Sequence, residues 1–129
     1  MANSAAKFMC MFLILSMSSQ SLATEYLVGG SSGWSSPSVL IPWLSGKVFH
    51  LATFNCRIIV FKYLPALHTV AIVDLNSYNS CHLNVIIDLY ASLTGETRIT
   101  LTKTGLLHIT SNIGLDCLLG LKIAIDVQV

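Results

Sequence analysis

The chain has 129 residues, of which 53% are hydrophobic and 10% are charged, and its formal net charge is +1 at pH 7. This length fits one domain with a substantial hydrophobic core. Because the chain has no basic patch and no acidic run, it does not have the charge pattern of a protein that binds nucleic acid, anionic lipid or a polycation.

The first 23 residues have the pattern of a secretory signal peptide. Lys7 precedes an apolar stretch, Phe8 to Met17, that is too short to span a bilayer. Ser21-Leu22-Ala23 then supplies small residues at the expected cleavage positions. An N-terminal anchor or a core strand is the alternative interpretation. We expect residues 1–23 to be the signal peptide and residues 24–129 to form the mature domain.

The rest of the chain has no apolar run long enough for a membrane helix, and no lipid-anchor signal follows its last β-type segment. We therefore expect a secreted, extracellular protein that is not tethered to a membrane.

Seven segments rich in β-branched and aromatic residues predict about seven strands. They are Tyr26–Val28, Lys47–Leu51, Arg57–Tyr63, His68–Val73, Thr97–Thr102, Leu106–Thr110 and Leu121–Val127. In the last segment Ile123, Ile125 and Val127 alternate with polar or small residues, which is typical of a strand buried on one face. Such strands predict two sheets packed as a sandwich. Helix is expected only in short pieces, around residues 77–80 and 84–90.

Several short motifs together carry a family resemblance. They are Tyr26-Leu-Val-Gly-Gly, Gly33-Trp34, Trp43-Leu-Ser-Gly-Lys47, His68-Thr-Val, Tyr78-Asn-Ser-Cys81, Gly105, Cys117 and Gly120-Leu-Lys122. As a set they resemble the phytocyanins, the plant family of secreted cupredoxins, and within it the early nodulin-like branch. The resemblance implies an all-β, cupredoxin-like Greek-key β-sandwich with one disulfide, Cys81–Cys117.

That pairing leaves Cys56 without a partner in the mature domain, because Cys10 belongs to the expected signal peptide. We expect Cys56 to be a free thiol, buried as an apolar residue of a strand rather than reactive or bonded to another molecule.

The resemblance also implies four ligand positions of a blue copper site, which takes two imidazoles, one thiolate and a weak axial ligand. His68 matches the first ligand. Counted from Cys117, the other three positions hold Ser111, Asp116 and Leu121. We therefore expect His68 to be the only surviving ligand match, and we expect no cofactor. If the protein is instead a copper-binding electron carrier, its cofactor is copper.

The remaining candidate chemistry is sparse. The other histidines, His50, His82 and His108, have no partner at metal-ligand spacing and are expected at the surface or on edge strands. No Gly-x-Ser-x-Gly motif is present, so we expect no catalytic triad and no enzyme. Trp34 and Trp43 are interpreted as packing residues at one end of the sandwich, with stacking on a carbohydrate or a partner as the alternative.

Two functions follow from this reading. The first is a secreted interaction module without type I copper, whose partners are cell-wall glycans or surface proteins. The alternative is a copper-binding electron carrier of the apoplast, and a family member with no selected function is a third possibility. An apolar surface formed by Phe54, Cys56, Leu40-Ile41 and Ile86-Ile87 is expected to aggregate or to hold a partner.

Overall fold

The computed structural model describes residues 23–51 and 56–129, with side chains for residues 24–51 and 57–129. Most of the predicted signal peptide, residues 1–22, lies outside the described residues. So do Phe54 and the side chain of Cys56, and the predictions made for these residues stay predictions.

Within the described residues, eight strands form two sheets. The three-stranded sheet has the order β1-β3-β6 and the five-stranded sheet the order β2-β8-β7-β4-β5. The strands are β1 (Ala23–Leu27), β2 (Phe49–His50), β3 (Cys56–Lys62), β4 (Val70–Val73), β5 (Ile86–Tyr90), β6 (Glu96–Thr100), β7 (Gly105–Thr110) and β8 (Lys122–Gln128). The predicted all-β sandwich of two sheets is confirmed, with one strand more than the sequence indicated.

The additional strand is β5, where the sequence had suggested helix. The helix expected around residues 84–90 is wrong, because Ile86–Tyr90 pairs antiparallel with β4. The β-branched Ile86 and Ile87 favour a strand, and the exposed edge of β4 supplies backbone partners that a short isolated helix would lack.

In the part of the chain that the structure describes, two helices flank the sheets, α1 (Pro37–Leu44) and α2 (Leu75–Ser80), and a 3₁₀ turn covers Gly30–Ser32. Helix α2 confirms the expectation around residues 77–80, and Asp74 caps it by accepting a hydrogen bond from the Ser77 backbone N–H at 2.8 Å. Helix α1 was not predicted, although Pro37 lies at its start, a position that favours proline.

The core lies between the sheets. Ile123, Ile125 and Val127 of β8 are all buried, so their predicted inward alternation is confirmed. Trp34 is fully buried, lies edge-on to Phe61 with ring centroids 5.1 Å apart, and donates from Nε1 to the Thr69 carbonyl at 2.9 Å. Its interpretation as a packing residue is therefore confirmed.

The first residue of the Gly33-Trp34 pair lies where only glycine fits. Its φ is +72°, and a Cβ at this position would lie 2.6 Å from the Lys62 carbonyl oxygen. The close approach lets the Trp34 backbone N–H donate to that same carbonyl at 2.8 Å, so a side chain here would break the link between the first loop and β3.

The predicted apolar surface is only partly correct. Leu40 is 1% exposed and belongs to the core, whereas the adjacent Ile41 is 73% exposed. The two residues separate because they lie on α1, a helix that turns consecutive side chains to different faces. Ile87 of β5 is exposed as expected.

A disulfide joins Cys81, which ends α2, to Cys117 in the loop between β7 and β8, with the Cα atoms 5.7 Å apart. The pairing implied by the family resemblance is confirmed. The bond holds the loop 111–121 against the middle of the chain. Among the described residues no helix is both long and apolar enough to cross a membrane.

Candidate functional site

The candidate site lies where strand β4 begins and the neighbouring strand β7 ends. Strands β4 and β7 pair antiparallel, with Ala71 opposite Thr110. The residues just before β4 therefore lie beside the residues just after β7. This places His68 and Thr69 next to Ser111 and Asn112, which are more than 40 positions later in the chain.

A carboxylate joins the two segments. Oδ2 of Asp116 accepts a hydrogen bond from the Ser111 hydroxyl at 2.6 Å and lies 2.8 Å from Nδ1 of His68. The side chains of His68 and Asp116 are 20% and 17% exposed, and Ser111 is 1% exposed. Three of the four positions singled out in the sequence thus meet in one partly buried cluster, which we call the polar cluster.

The backbone fixes Ser111 within the polar cluster. Its Oγ accepts from the backbone N–H of Thr69 at 3.1 Å and from that of Ile113 at 3.3 Å, while its proton goes to Asp116. A hydroxyl has one proton to donate and two lone pairs to accept with, so the Ser111 side chain is fully used.

Thr69 and Asn112 extend the cluster and were not singled out in the sequence. The Thr69 hydroxyl donates to Oδ1 of Asn112 at 2.6 Å and accepts from the Asn112 backbone N–H at 3.0 Å. Sequence spacing carries no signal for this contact, since it depends on the register between β4 and β7. Among the described residues, every buried side-chain nitrogen and oxygen has a hydrogen-bond partner.

The fourth position, Leu121, contributes no polar side-chain atom. Its side chain is buried, and its carbonyl accepts from the Thr110 hydroxyl at 2.9 Å. The side chains at the four positions are therefore one imidazole, one hydroxyl, one carboxylate and one aliphatic chain. They do not match the donor set of type I copper, which takes two imidazoles and a thiolate.

The order of hydrogen bonds is also unlike that of a catalytic triad. In a triad the serine bonds to the histidine, which takes its proton, and the carboxylate orients the histidine from the other side. Here Asp116 lies between Ser111 and His68, and the Ser111 proton points to the carboxylate. The arrangement is therefore not that of a Ser-His-Asp triad.

The other histidines form separate contacts. The ring of His108 lies 5.1 Å from that of Tyr78, and Nδ1 of His50 is 3.1 Å from the Val129 carbonyl. His82 is exposed. Within residues 24–51 and 57–129, no three or more His, Cys, Asp or Glu side chains are placed to hold a metal ion.

Exposed apolar side chains adjoin the polar cluster in sequence. These residues, which we call the apolar rim, are Leu64, Leu67, Ile113, Leu115, Leu118 and Leu119. The only charged residue in segments 64–67 and 111–121 is Asp116, and its carboxylate is bonded within the cluster. These two segments therefore carry exposed apolar side chains and little charge.

Comparison with known proteins identifies the family. Residues 34–121 match the family model described as a plastocyanin-like domain. The chain is 34% identical over 111 residues to stellacyanin from Toxicodendron vernicifluum, an alignment that covers 82% of this chain and 98% of that protein. The chain is a phytocyanin.

Two further relatives show the range of the family. This phytocyanin is 34% identical over 129 residues to the blue copper protein of Pisum sativum, covering 99% of this chain and 65% of the pea protein. It is 31% identical over 117 residues to early nodulin-like protein 22 of Arabidopsis thaliana, covering 91% of this chain and 79% of that protein.

Solved structures agree with the fold. Cucumber basic protein, a blue copper protein, superposes with a TM-score of 0.67 at 31% identity, covering 81% of this chain and 99% of that one. Cucumber stellacyanin superposes with a TM-score of 0.68 at 24% identity, covering 85% and 97%. The cupredoxin-like fold implied by the sequence motifs is confirmed.

Proposed function

We propose that this phytocyanin works without type I copper, as a secreted interaction module of the cell wall or cell surface. The observation that carries the proposal is the double hydrogen bond to Asp116, from His68 at 2.8 Å and Ser111 at 2.6 Å. The groups at the positions of three family ligands satisfy one another, and the fourth group, Leu121, has no donor atom.

The chemistry of the replacements supports this part of the proposal. A thiolate is a soft donor that favours copper, whereas a serine hydroxyl is neutral at physiological pH and is a poor ligand. A metal ion at this position would also have to displace the Ser111 proton from Asp116 and compete with the bond between Asp116 and His68. The proposed function therefore includes neither electron transfer nor catalytic turnover.

The N-terminal sequence and the disulfide support secretion. The pattern of residues 1–23 is typical of a signal peptide, and the Cys81–Cys117 bond is of a kind that persists in oxidising compartments. The partners we propose are cell-wall glycans or surface proteins. The apolar rim supports a partner that is recognised by apolar contact, since exposed apolar patches mark interaction sites more often than random surface.

A copper titration tests the loss of the metal site. We expect Cu(II) to bind weakly, without the intense visible absorption of a copper–thiolate bond, and we expect His68→Ala to remove most of the remaining binding. His82 is exposed and lies outside the polar cluster, so His82→Ala is a matched control for the loss of an imidazole elsewhere. An intense blue absorption from the unaltered protein would overturn the proposal.

A binding assay tests the interaction module. The purified protein is mixed with isolated plant cell walls, and the bound fraction is compared with that of Leu67→Ser combined with Leu115→Ser. We expect the double substitution in the apolar rim to reduce binding at least fivefold. Leu75→Ser alters an exposed leucine on α2 and should change nothing. Equal binding by all three proteins would contradict a role for the apolar rim.

A copper electron carrier is the second candidate, favoured by the similarity to relatives such as the blue copper protein of Pisum sativum. His68 is the one residue here that matches a ligand of such a site. This candidate predicts the opposite result in the copper titration, so the same experiment separates the two functions.

A further inference from the structure

A cavity lies between the two sheets, separate from the polar cluster. Its volume is about 700 Å³, it is partly open to solvent, and none of the polar-cluster residues lines it. The three-stranded sheet contributes Ile58 and Ile99 to its wall, and the five-stranded sheet contributes Ile72 and Val127. The cavity thus extends from the surface into the interface of the sandwich.

The walls and the mouth differ in burial. Ile58, Ile72, Ile99 and Val127 all belong to the buried core, whereas Ile87 and Leu106 at the mouth are exposed. Folded interiors seldom leave gaps larger than a water molecule. A cavity of this volume is within the range of pockets that hold small molecules, and its apolar walls favour an apolar guest.

Polar groups gather at one end of the cavity. The turn between β6 and β7 contributes Thr102, Lys103 and Thr104 to the lining. Lys103 forms no ion pair with any described residue, and it lies between two threonines whose hydroxyls can donate hydrogen bonds. An ammonium flanked by hydroxyls is suited to a carboxylate.

The other charged lining residues are Arg98 and Asp88. Arg98 is already paired with Glu25 and Glu96. Asp88 lies on β5 and not in the turn that carries Lys103. Because Arg98 is neutralised by its two glutamate partners, Lys103 is the cation that a head group at the β6–β7 turn would meet.

We propose that this cavity binds an amphipathic carboxylate of the medium-chain fatty-acid class. The hydrocarbon chain lies between the sheets against the isoleucines of the wall. The carboxylate lies at the β6–β7 turn, with Lys103 and the hydroxyls of Thr102 and Thr104. The site is independent of the polar cluster and of the function proposed for it.

Calorimetric titration with decanoate and with decanol tests the proposal, because the two probes have the same chain and differ in the head group. We expect one-to-one binding of both, with decanoate about fivefold tighter, as an exposed ion pair contributes up to about 1 kcal/mol. Lys103→Gln should reduce decanoate binding to the decanol level and leave decanol unchanged. Lys62→Gln, on the outer face of β3, is the matched control and should alter neither.

Two wall variants test the location of the chain. Ile72→Phe fills the buried wall and should weaken both probes at least tenfold. Ile87→Glu places a carboxylate at the mouth, where the native side chain is 61% exposed, and should weaken decanoate more than decanol. Absence of saturable decanoate binding, or binding that neither variant weakens, would overturn the site. Decanoate affinity unchanged in Lys103→Gln would overturn the placement of the head group.

Discussion

Nδ1 of His68 lies 2.8 Å from Oδ2 of Asp116, and this contact joins two loops that are 48 positions apart in the chain. The same oxygen accepts the Ser111 proton. The family resemblance implies that these positions hold the ligands in phytocyanins that bind copper. In this structure, hydrogen bonds among His68, Ser111 and Asp116 connect the two loops.

We predict that His68 and Asp116 stabilise the fold as a pair. Because both side chains are mostly buried and hydrogen-bonded, His68→Ala and Asp116→Asn should each lower the free energy of unfolding by about 1–3 kcal/mol. A double-mutant cycle in chemical denaturation should give a coupling energy of about 1 kcal/mol. Asp126→Asn, on the exposed face of β8, is the control and should change the stability by less than about 0.5 kcal/mol. Strict additivity of the two substitutions would refute the pairing.

Ser111→Ala should be costly for a different reason. It removes the acceptor for the backbone N–H groups of Thr69 and Ile113, and Thr69 is buried. An unsatisfied buried donor costs about 1–3 kcal/mol, which thermal denaturation will detect as a lower Tm. Ser35 donates to the Ser32 carbonyl at the exposed surface, so Ser35→Ala should leave the Tm nearly unchanged. If both alanine variants behave alike, the buried hydroxyl has no special role.

The disulfide should supply a large share of the stability. It closes a loop with a sequence separation of 36, which corresponds to about 4 kcal/mol in the chain-entropy model. We expect replacement of Cys81 and Cys117 by Ser, in a Cys56→Ser background that prevents thiol exchange, to lower the unfolding free energy by about that amount. A reducing agent should destabilise the parent protein and leave this variant unaffected. If the reducing agent also destabilised this variant, its effect on the parent could not be assigned to the disulfide.

Asp74 should make part of the stability dependent on pH. Hydrogen bonds from Ser77, the side chain first and the backbone N–H second, hold the pKa of Asp74 below its usual value. A carboxyl with a lowered folded-state pKa stabilises the fold above its unfolded pKa of about 3.9, and the contribution is lost as the pH falls through the folded value. Asp74→Asn keeps a helix cap without the charge. We expect it to be less stable than the parent at pH 7, with the difference disappearing at acid pH; an equal difference at both pH values would contradict this.

The sequence predicted the strands, the disulfide and the fold well. The signal for each is either a local pattern or a set of motifs that occur together. Alternation at Ile123, Ile125 and Val127 gives the buried face of β8 directly. The disulfide and the fold followed from motifs that are individually weak but specific together. Helix α1 was missed because its residues are apolar on more than one face, so periodicity did not distinguish it from a core segment.

The sequence could select the residues of the polar cluster, but it could not predict the hydrogen bonds between them. Counting from Cys117 selected Ser111 and Asp116, and the structure brings both to His68. That Asp116 lies between the other two depends on side-chain rotamers in a loop, which spacing does not determine. The inter-sheet cavity had no sequence signal, because it depends on how far the edges of two sheets separate.

The most direct test of the central claim is the visible spectrum of two proteins titrated with Cu(II). One is the parent phytocyanin, and the other carries Ser111→Cys, Asp116→His and Leu121→Met, which would restore a thiolate, a second imidazole and an axial thioether. We predict that the parent stays colourless and that the triple variant acquires the intense blue absorption of a copper–thiolate site. A blue parent protein, or a triple variant that folds with its disulfide intact and stays colourless, would contradict the assignment of these positions.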